Sequence, residues 1–349
     1  MGALERILIF GAGLAGTCLA HQLQRRGQQV LLVDSGENHS SSIAAGMVNP
    51  MVFRRMNKSW RLDEFINEAQ VFYQEIGREI GLEVYHPIVI RRFFSSEQEK
   101  QLWEERQDMA EFQPYLEKLT SDDLLHQGAT NLFGSGRVKQ AFWIDAQKWV
   151  AQNSTYFREK GLLSIEEFEP ESWEPSTRTY RNITYDKVIF CLGYRQKSEA
   201  TFSFLPLQQT KGQTLLIQSK ALPDHESLNR KCFVLPVGEQ QFKVGATYEW
   251  NNASLETTPE AQTQLLNMLA SLGNYDPQIL EQKAGVRPTV LDRRPLMGEH
   301  PAYQGVYIFN GLGTKGYMMA PTLASELADF MLEQKPLDLE TDIRRFIQI

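Results

Sequence analysis

The chain has 349 residues, 42% of them hydrophobic and 23% charged, with a net charge of −7. Such a composition suits a soluble globular protein of two domains or one elaborate domain, and the acidic balance argues against a general nucleic-acid binder. No apolar run approaches the ~20 residues that span a bilayer, so no membrane segment is expected.

Ile7-Leu8-Ile9-Phe10 is a continuous apolar run, the pattern of a central parallel strand buried on both faces. Gly11, Ala12, Gly13, Leu14, Ala15 and Gly16 follow as G-x-G-x-x-G. The first glycine permits a tight turn, the second lets the backbone approach a pyrophosphate, and the third lets the next helix sit close to the strand. That helix, about 14–26, directs its positive end at the phosphates. The apolar run Val30-Leu31-Leu32-Val33 ends at Asp34, where an acid accepts hydrogen bonds from a ribose hydroxyl. Strand, glycines, helix and acid together predict a βαβ dinucleotide unit. The acid argues against a 2′-phosphate, and so against NADP; NAD and FAD both remain.

Residues 35–42, including Ser35 and Ser42, read as a polar loop. The small residues of 43–50, among them Ala45 and Gly46, allow backbone to approach a ligand. Arg54, Arg55, Lys58 and Arg61 make the next stretch basic. Apolar residues at three- and four-residue steps predict an amphipathic helix over 62–80. A strand over 85–94, an exposed helix over 96–109, turns over 128–137 and a helix over 146–160 follow. The acidic segment 166–181 reads as a surface hairpin or loop. A second buried strand, 185–192, stops at Gly193, the edge at which ligands lie in open α/β folds.

From Gln209 the texture changes to short β-rich runs, 212–218, 231–237 and 241–247, which predict antiparallel sheet. A helix over 258–272 is followed by an Arg/Pro-rich loop covering 284–288 and 291–298. A third apolar strand, 306–310, leads into Gly311-Leu312-Gly313-Thr314-Lys315-Gly316 and a last helix to about 332. An NAD enzyme needs only one glycine-rich strand-to-helix turn. A flavin, once reduced, carries negative charge near N1 and C2=O, and a helix amino terminus with a lysine suits that charge. Cys18, Cys191 and Cys232 form neither a disulfide framework nor a metal site. They fit a reducing cytoplasm, and no metal is expected.

These residues, together with Trp143-Ile144-Asp145, Lys211-Gly212-Gln213, Gly245-Ala246-Thr247, Ala284 to Pro288 and Asp292 to Gly298, identify a resemblance. The chain resembles the FAD-dependent amino acid/amine oxidoreductase (DAO) family, which includes glycine oxidase, D-amino acid oxidase and dehydrogenase, and sarcosine oxidase. The resemblance implies an α/β fold: a discontinuous Rossmann-like FAD-binding domain over 1–58, 138–206 and 285–349, and an antiparallel-sheet substrate domain over 59–137 and 207–284. It implies FAD along the first glycine turn, Asp34, Ser35 and Ser42, with Ala45, Gly46, Gly193, Gly313, Thr314, Lys315 and Gly316 around the flavin. It gives catalytic roles to Arg287, as the clamp on a substrate carboxylate, and to Lys315, which stands where glycine oxidase has arginine. Phe233 stands where carboxylate-binding members often have tyrosine. No cysteine matches the sarcosine oxidase attachment site, so FAD is expected without a covalent bond. The implied reaction is oxidation of the C–N bond of a small amine or amino acid, with oxygen or another electron acceptor. Two alternatives stay open: a tRNA wobble-uridine oxidase, with Arg54, Arg55, Lys58, Arg91 and Arg92 on phosphates, and a flavoprotein electron-transfer subunit.

Overall fold

The computed structural model describes residues 5–37, 39–119 and 129–347. One sheet has six strands in the order Leu296–Glu299, Val306–Asn310, Lys187–Phe190, Arg6–Phe10, Gln29–Asp34 and Leu163–Ile165. Its neighbours run parallel except for the first pair, which is antiparallel. Ile7 and Ile9 enter one core cluster, Leu8 and Phe10 the other. The unbroken apolar run is therefore buried on both faces, as its lack of alternation requires. Helices Leu14–Arg25, Leu62–Glu79 and Gly316–Glu333 pack together against one face. On the other face the acidic segment forms a small three-stranded sheet, and its Trp173 and Tyr180 turn inward beside Phe10.

The second sheet has nine strands, in the order Glu249–Trp250, Leu207–Gln218, Gln241–Gly245, Phe233–Gly238, Glu226–Asn229, Tyr85–Phe93, Ser135–Ile144 and Met47–Val48, with Gln278–Val290 also paired to Leu207–Gln218. It is antiparallel save for Glu226–Asn229 beside Tyr85–Phe93, which is parallel. Helix Pro259–Ala270 covers one face, packing Leu265 and Leu269 among Leu215, Ile217 and Val244. Thr258 caps it by accepting from the Ala261 amide, and Pro259 stands at its first turn, where no N–H is needed.

Three local expectations are corrected. His39–Ile43, expected in a polar loop, is a short helix. Ser135–Ile144 is a strand where turns were expected over 128–137, residue 128 lying outside the described residues. Segment 284–288 is not loop: it lies within the 13-residue strand Gln278–Val290. This strand pairs on one side only, a setting that tolerates Pro288. The expected domain boundaries at 137/138 and 284/285 fall inside these two strands.

Candidate functional site

A cavity of about 630 Å³ lies between the two sheets, bordered at one end by Gly11, Gly13 and Asp34 and at the other by Phe233, Tyr248 and Arg287. This is a usual size for a small-molecule site. At the first end, helix Leu14–Arg25 begins at Gly13 with no side-chain cap from that residue, and the Ser41 hydroxyl accepts the Leu14 amide at 3.0 Å. A Cβ on Gly16 would stand 1.9 Å from the Gly11 carbonyl oxygen, so the helix rests directly on the turn. Asp34 Oδ2 accepts the Ala12 amide at 2.7 Å, and Oδ1 accepts the Gly36 amide at 2.7 Å. Both oxygens are thereby oriented and keep lone pairs for a further donor.

The sequence-derived residues Leu14, Ala15, Ser35, Ala45, Gly46 and Gly193 line the same cavity, as do Gly313, Thr314 and Gly316. Ala12, Gly16, Ser42 and Lys315 do not; Ser40 and Ser41 do. Ala12 and Gly16 act through the turn itself, one by its amide and the other by its missing side chain.

Lys315 is the main departure. Its Nζ donates to the Asn49 carbonyl at 3.0 Å and to the Ser59 hydroxyl. Burial lowers its pKa to about 8. The side chain ties the start of the last helix to the 49–59 segment instead of facing the cavity. Backbone position was readable from the glycine turn, whereas the direction of a long side chain depends on neighbours far away in sequence.

Arg287 meets its expectation of place. It lies across from Thr210 on the neighbouring strand and reaches the cavity. Its Nη1 is 3.5 Å from the Thr247 carbonyl, and its Cζ is 4.6 Å from the Tyr248 ring centroid. Among the described residues no carboxylate pairs with it. Burial lowers its pKa below the ordinary guanidinium value, and Tyr248 opposes that shift. Phe233 lines the cavity too, whereas Trp250, 56% exposed, does not.

Sequence reasoning missed Arg195 and Phe168, which border the Asp34 end. Arg195 Nη1 donates to the Ser35 hydroxyl at 2.9 Å and Nη2 to Glu37 at 3.3 Å. The one available signal was its place two residues beyond Gly193. Three of the five cations considered for phosphate contact are engaged elsewhere: Arg91 with Glu226 at 2.7 Å, Arg92 with Glu99 at 2.7 Å and Lys58 with Asp63 at 2.6 Å. Arg54 and Arg55 are exposed.

All three cysteines are buried and free. Among the described residues no group of three or more His, Cys, Asp or Glu could hold a metal ion, and no helix is long and apolar enough to cross a membrane. A glycine turn opening on the cavity, a helix amino terminus behind it and an oriented carboxylate fit the pyrophosphate and ribose of a dinucleotide.

A family model described as FAD dependent oxidoreductase matches residues 6–330. The chain is 24% identical over 372 residues to the tRNA 5-methylaminomethyl-2-thiouridine biosynthesis bifunctional protein of Marinobacter nauticus, covering 99% of this chain and 58% of that protein. It therefore spans little more than half the length of that relative. It is 21% identical over 356 residues to the glycine oxidase of Bacillus subtilis, covering 94% of this chain and 93% of that one. The crystal structure of glycine oxidase from Geobacillus kaustophilus matches with a TM-score of 0.83 at 18% identity, covering 98% of both chains.

Proposed function

This chain belongs to the FAD dependent oxidoreductase (DAO) family, and from that premise we propose that it oxidises the C–N bond of a small amine that carries a carboxylate. One observation carries the reading. Arg287 is a cavity-lining guanidinium with no carboxylate partner among the described residues. Arg287 is half-buried; a charge withdrawn from water is ordinarily paired, and a planar guanidinium fork matches a carboxylate. The site is thus short of one anion, and a substrate carboxylate supplies it.

Bound FAD supplies the two-electron acceptor for a hydride leaving the carbon that bears nitrogen. The chain's own residues bind and orient. The Gly11–Gly16 turn and Asp34 hold the dinucleotide. Arg287 aligns the substrate by its carboxylate. The substrate loses a hydride from carbon and a proton from nitrogen, and the resulting imine takes up water to give a carbonyl compound and a free amine. No side-chain base is required if the amine enters unprotonated, so positioning is the chain's main contribution.

The test is an absorption spectrum of the purified protein, followed by anaerobic addition of glycine, sarcosine, proline and D-amino acids. Bands near ~450 nm that bleach with one of these support the reading. Bands that none of them bleaches count against a small-amine substrate.

A second reading, a tRNA-borne amine, is supported by the similarity to the tRNA-modifying relative and by three cations. Lys231 lines the cavity, and Lys231, Arg54 and Arg55 are exposed and make no ion pair among the described residues. Salt-sensitive tRNA binding separates the two readings, since only the second expects it.

A further inference from the structure

We infer that Tyr248 is a positioning residue for the carboxylate pocket: its ring holds the Arg287 guanidinium at the cavity wall without neutralising it. The inference rests on the reading that Arg287 receives a substrate carboxylate.

Taking a guanidinium out of water is costly, and proteins usually offset the cost with an acid. No acid does so here among the described residues. The partners of Arg287 are uncharged: the Thr247 carbonyl at 3.5 Å, the limit of a hydrogen bond, and the Tyr248 ring, whose centroid is 4.6 Å from Cζ. An acid in that place would occupy the N–H fork and repel an incoming carboxylate. An aromatic face attracts the cation through its quadrupole and uses none of its N–H donors. The arrangement thus keeps the cation in place and leaves its hydrogen-bonding capacity for a ligand.

The ring does this work, not the phenol. The Tyr248 hydroxyl makes no hydrogen bond among the described residues. The residue is 55% exposed yet lines the cavity. Tyr248 follows Thr247, so the loop that presents the ring also presents the carbonyl nearest to Nη1.

The experiment uses flavin-loaded protein and glycolate, a carboxylate with no amine to oxidise, with binding read from the perturbation of the flavin absorbance. Wild type, Tyr248→Phe, Tyr248→Leu, Tyr248→Met and Arg287→Ala are titrated in parallel. The expected result is that Tyr248→Phe binds glycolate within about twofold of wild type, while Tyr248→Leu and Tyr248→Met bind about tenfold more weakly. With an amine that bleaches the flavin, the same two variants raise KM and leave kcat near wild type, at unchanged FAD content. Wild-type affinity in Tyr248→Leu and Tyr248→Met, with binding lost in Arg287→Ala, overturns the role of Tyr248 and leaves the carboxylate reading standing. A Tyr248→Phe variant as weak as the leucine variant also overturns it, since the hydroxyl would then be the active group. Equal glycolate binding by wild type and Arg287→Ala removes the carboxylate reading, and this inference with it.

Discussion

The Arg287 guanidinium lies against the bare Cα of Gly212: a Cβ there would stand 2.2 Å from Nη1 and 2.3 Å from Nη2. The two residues occupy neighbouring strands, near the center of a register that runs from Leu207 opposite Val290 to Gln218 opposite Gln278. Gly212→Ala must therefore displace the guanidinium. A shift of about 1 Å in a positioning group can cost on the order of a hundredfold in rate. The variant is expected to raise KM for a carboxylate amine at least tenfold (an order-of-magnitude figure from the same principle) and to keep its FAD. Steady-state kinetics with the flavin absorbance ratio check both, and unchanged kinetics would remove Arg287 from the site.

Asp34 organises the other end. Its two oxygens accept the Ala12 and Gly36 amides, each at 2.7 Å. Asp34→Asn retains the shape but loses the charge and replaces one acceptor by a donor. Charge-assisted hydrogen bonds are worth about 1.5–3 kcal/mol, so the Kd for FAD is expected to rise at least tenfold. Quenching of flavin fluorescence on titration into apoprotein measures it. A wild-type Kd would place the ribose elsewhere.

Gly16 is expected to act through packing. Its added Cβ would meet the Gly11 carbonyl oxygen at 1.9 Å, a backbone atom that has little freedom to move. Overpacking costs about 1–3 kcal/mol and sometimes more. Gly16→Ala should lower the urea midpoint of the apoprotein as well as weaken FAD binding. Loss of FAD affinity at an unchanged midpoint would show that the turn relaxes freely.

Lys315 makes stability depend on alkaline pH. Burial lowers its pKa from an ordinary 10.5 to about 8 in the folded chain. Below about 8 the lysine is protonated in both states, and the folded state carries the full cost of the buried charge. Between about 8 and 10.5 the unfolded chain binds more protons than the folded one, so this contribution to stability rises with pH. The rise amounts to about 3 kcal/mol across the window. Lys315→Met should remove that slope. Unfolding free energies of both proteins at several pH values between 7 and 10 (a range set by the linkage relation) test this, and parallel profiles would refute it.

The Gly11–Asp34 end of the cavity was legible because it depends on backbone. Gly11 and Gly16 leave no room for a side chain, and Asp34 stands at the end of a strand marked by its apolar run. The Arg287 end was legible only in part. Ala284 to Pro288 looked like loop because proline and arginine interrupt the β pattern, yet pairing with Leu207–Gln218 holds it as strand. Ser40 and Ser41, on the short helix His39–Ile43, line the cavity, and Ser42 does not.

The sequence by itself determined the family, the glycine-rich strand-to-helix turn and an arginine that reaches the cavity. These rest on local patterns: apolar runs, glycine spacing and residue order along one chain. Only the tertiary structure decided that Lys315 turns to Asn49 and Ser59, that Arg195 reaches Ser35, and that Tyr248 rather than an acid stands beside Arg287. The physical reason is that a long side chain takes its direction from whichever partners the packed elements bring near. For Lys315 and Arg195 those partners lie more than a hundred residues away in the chain.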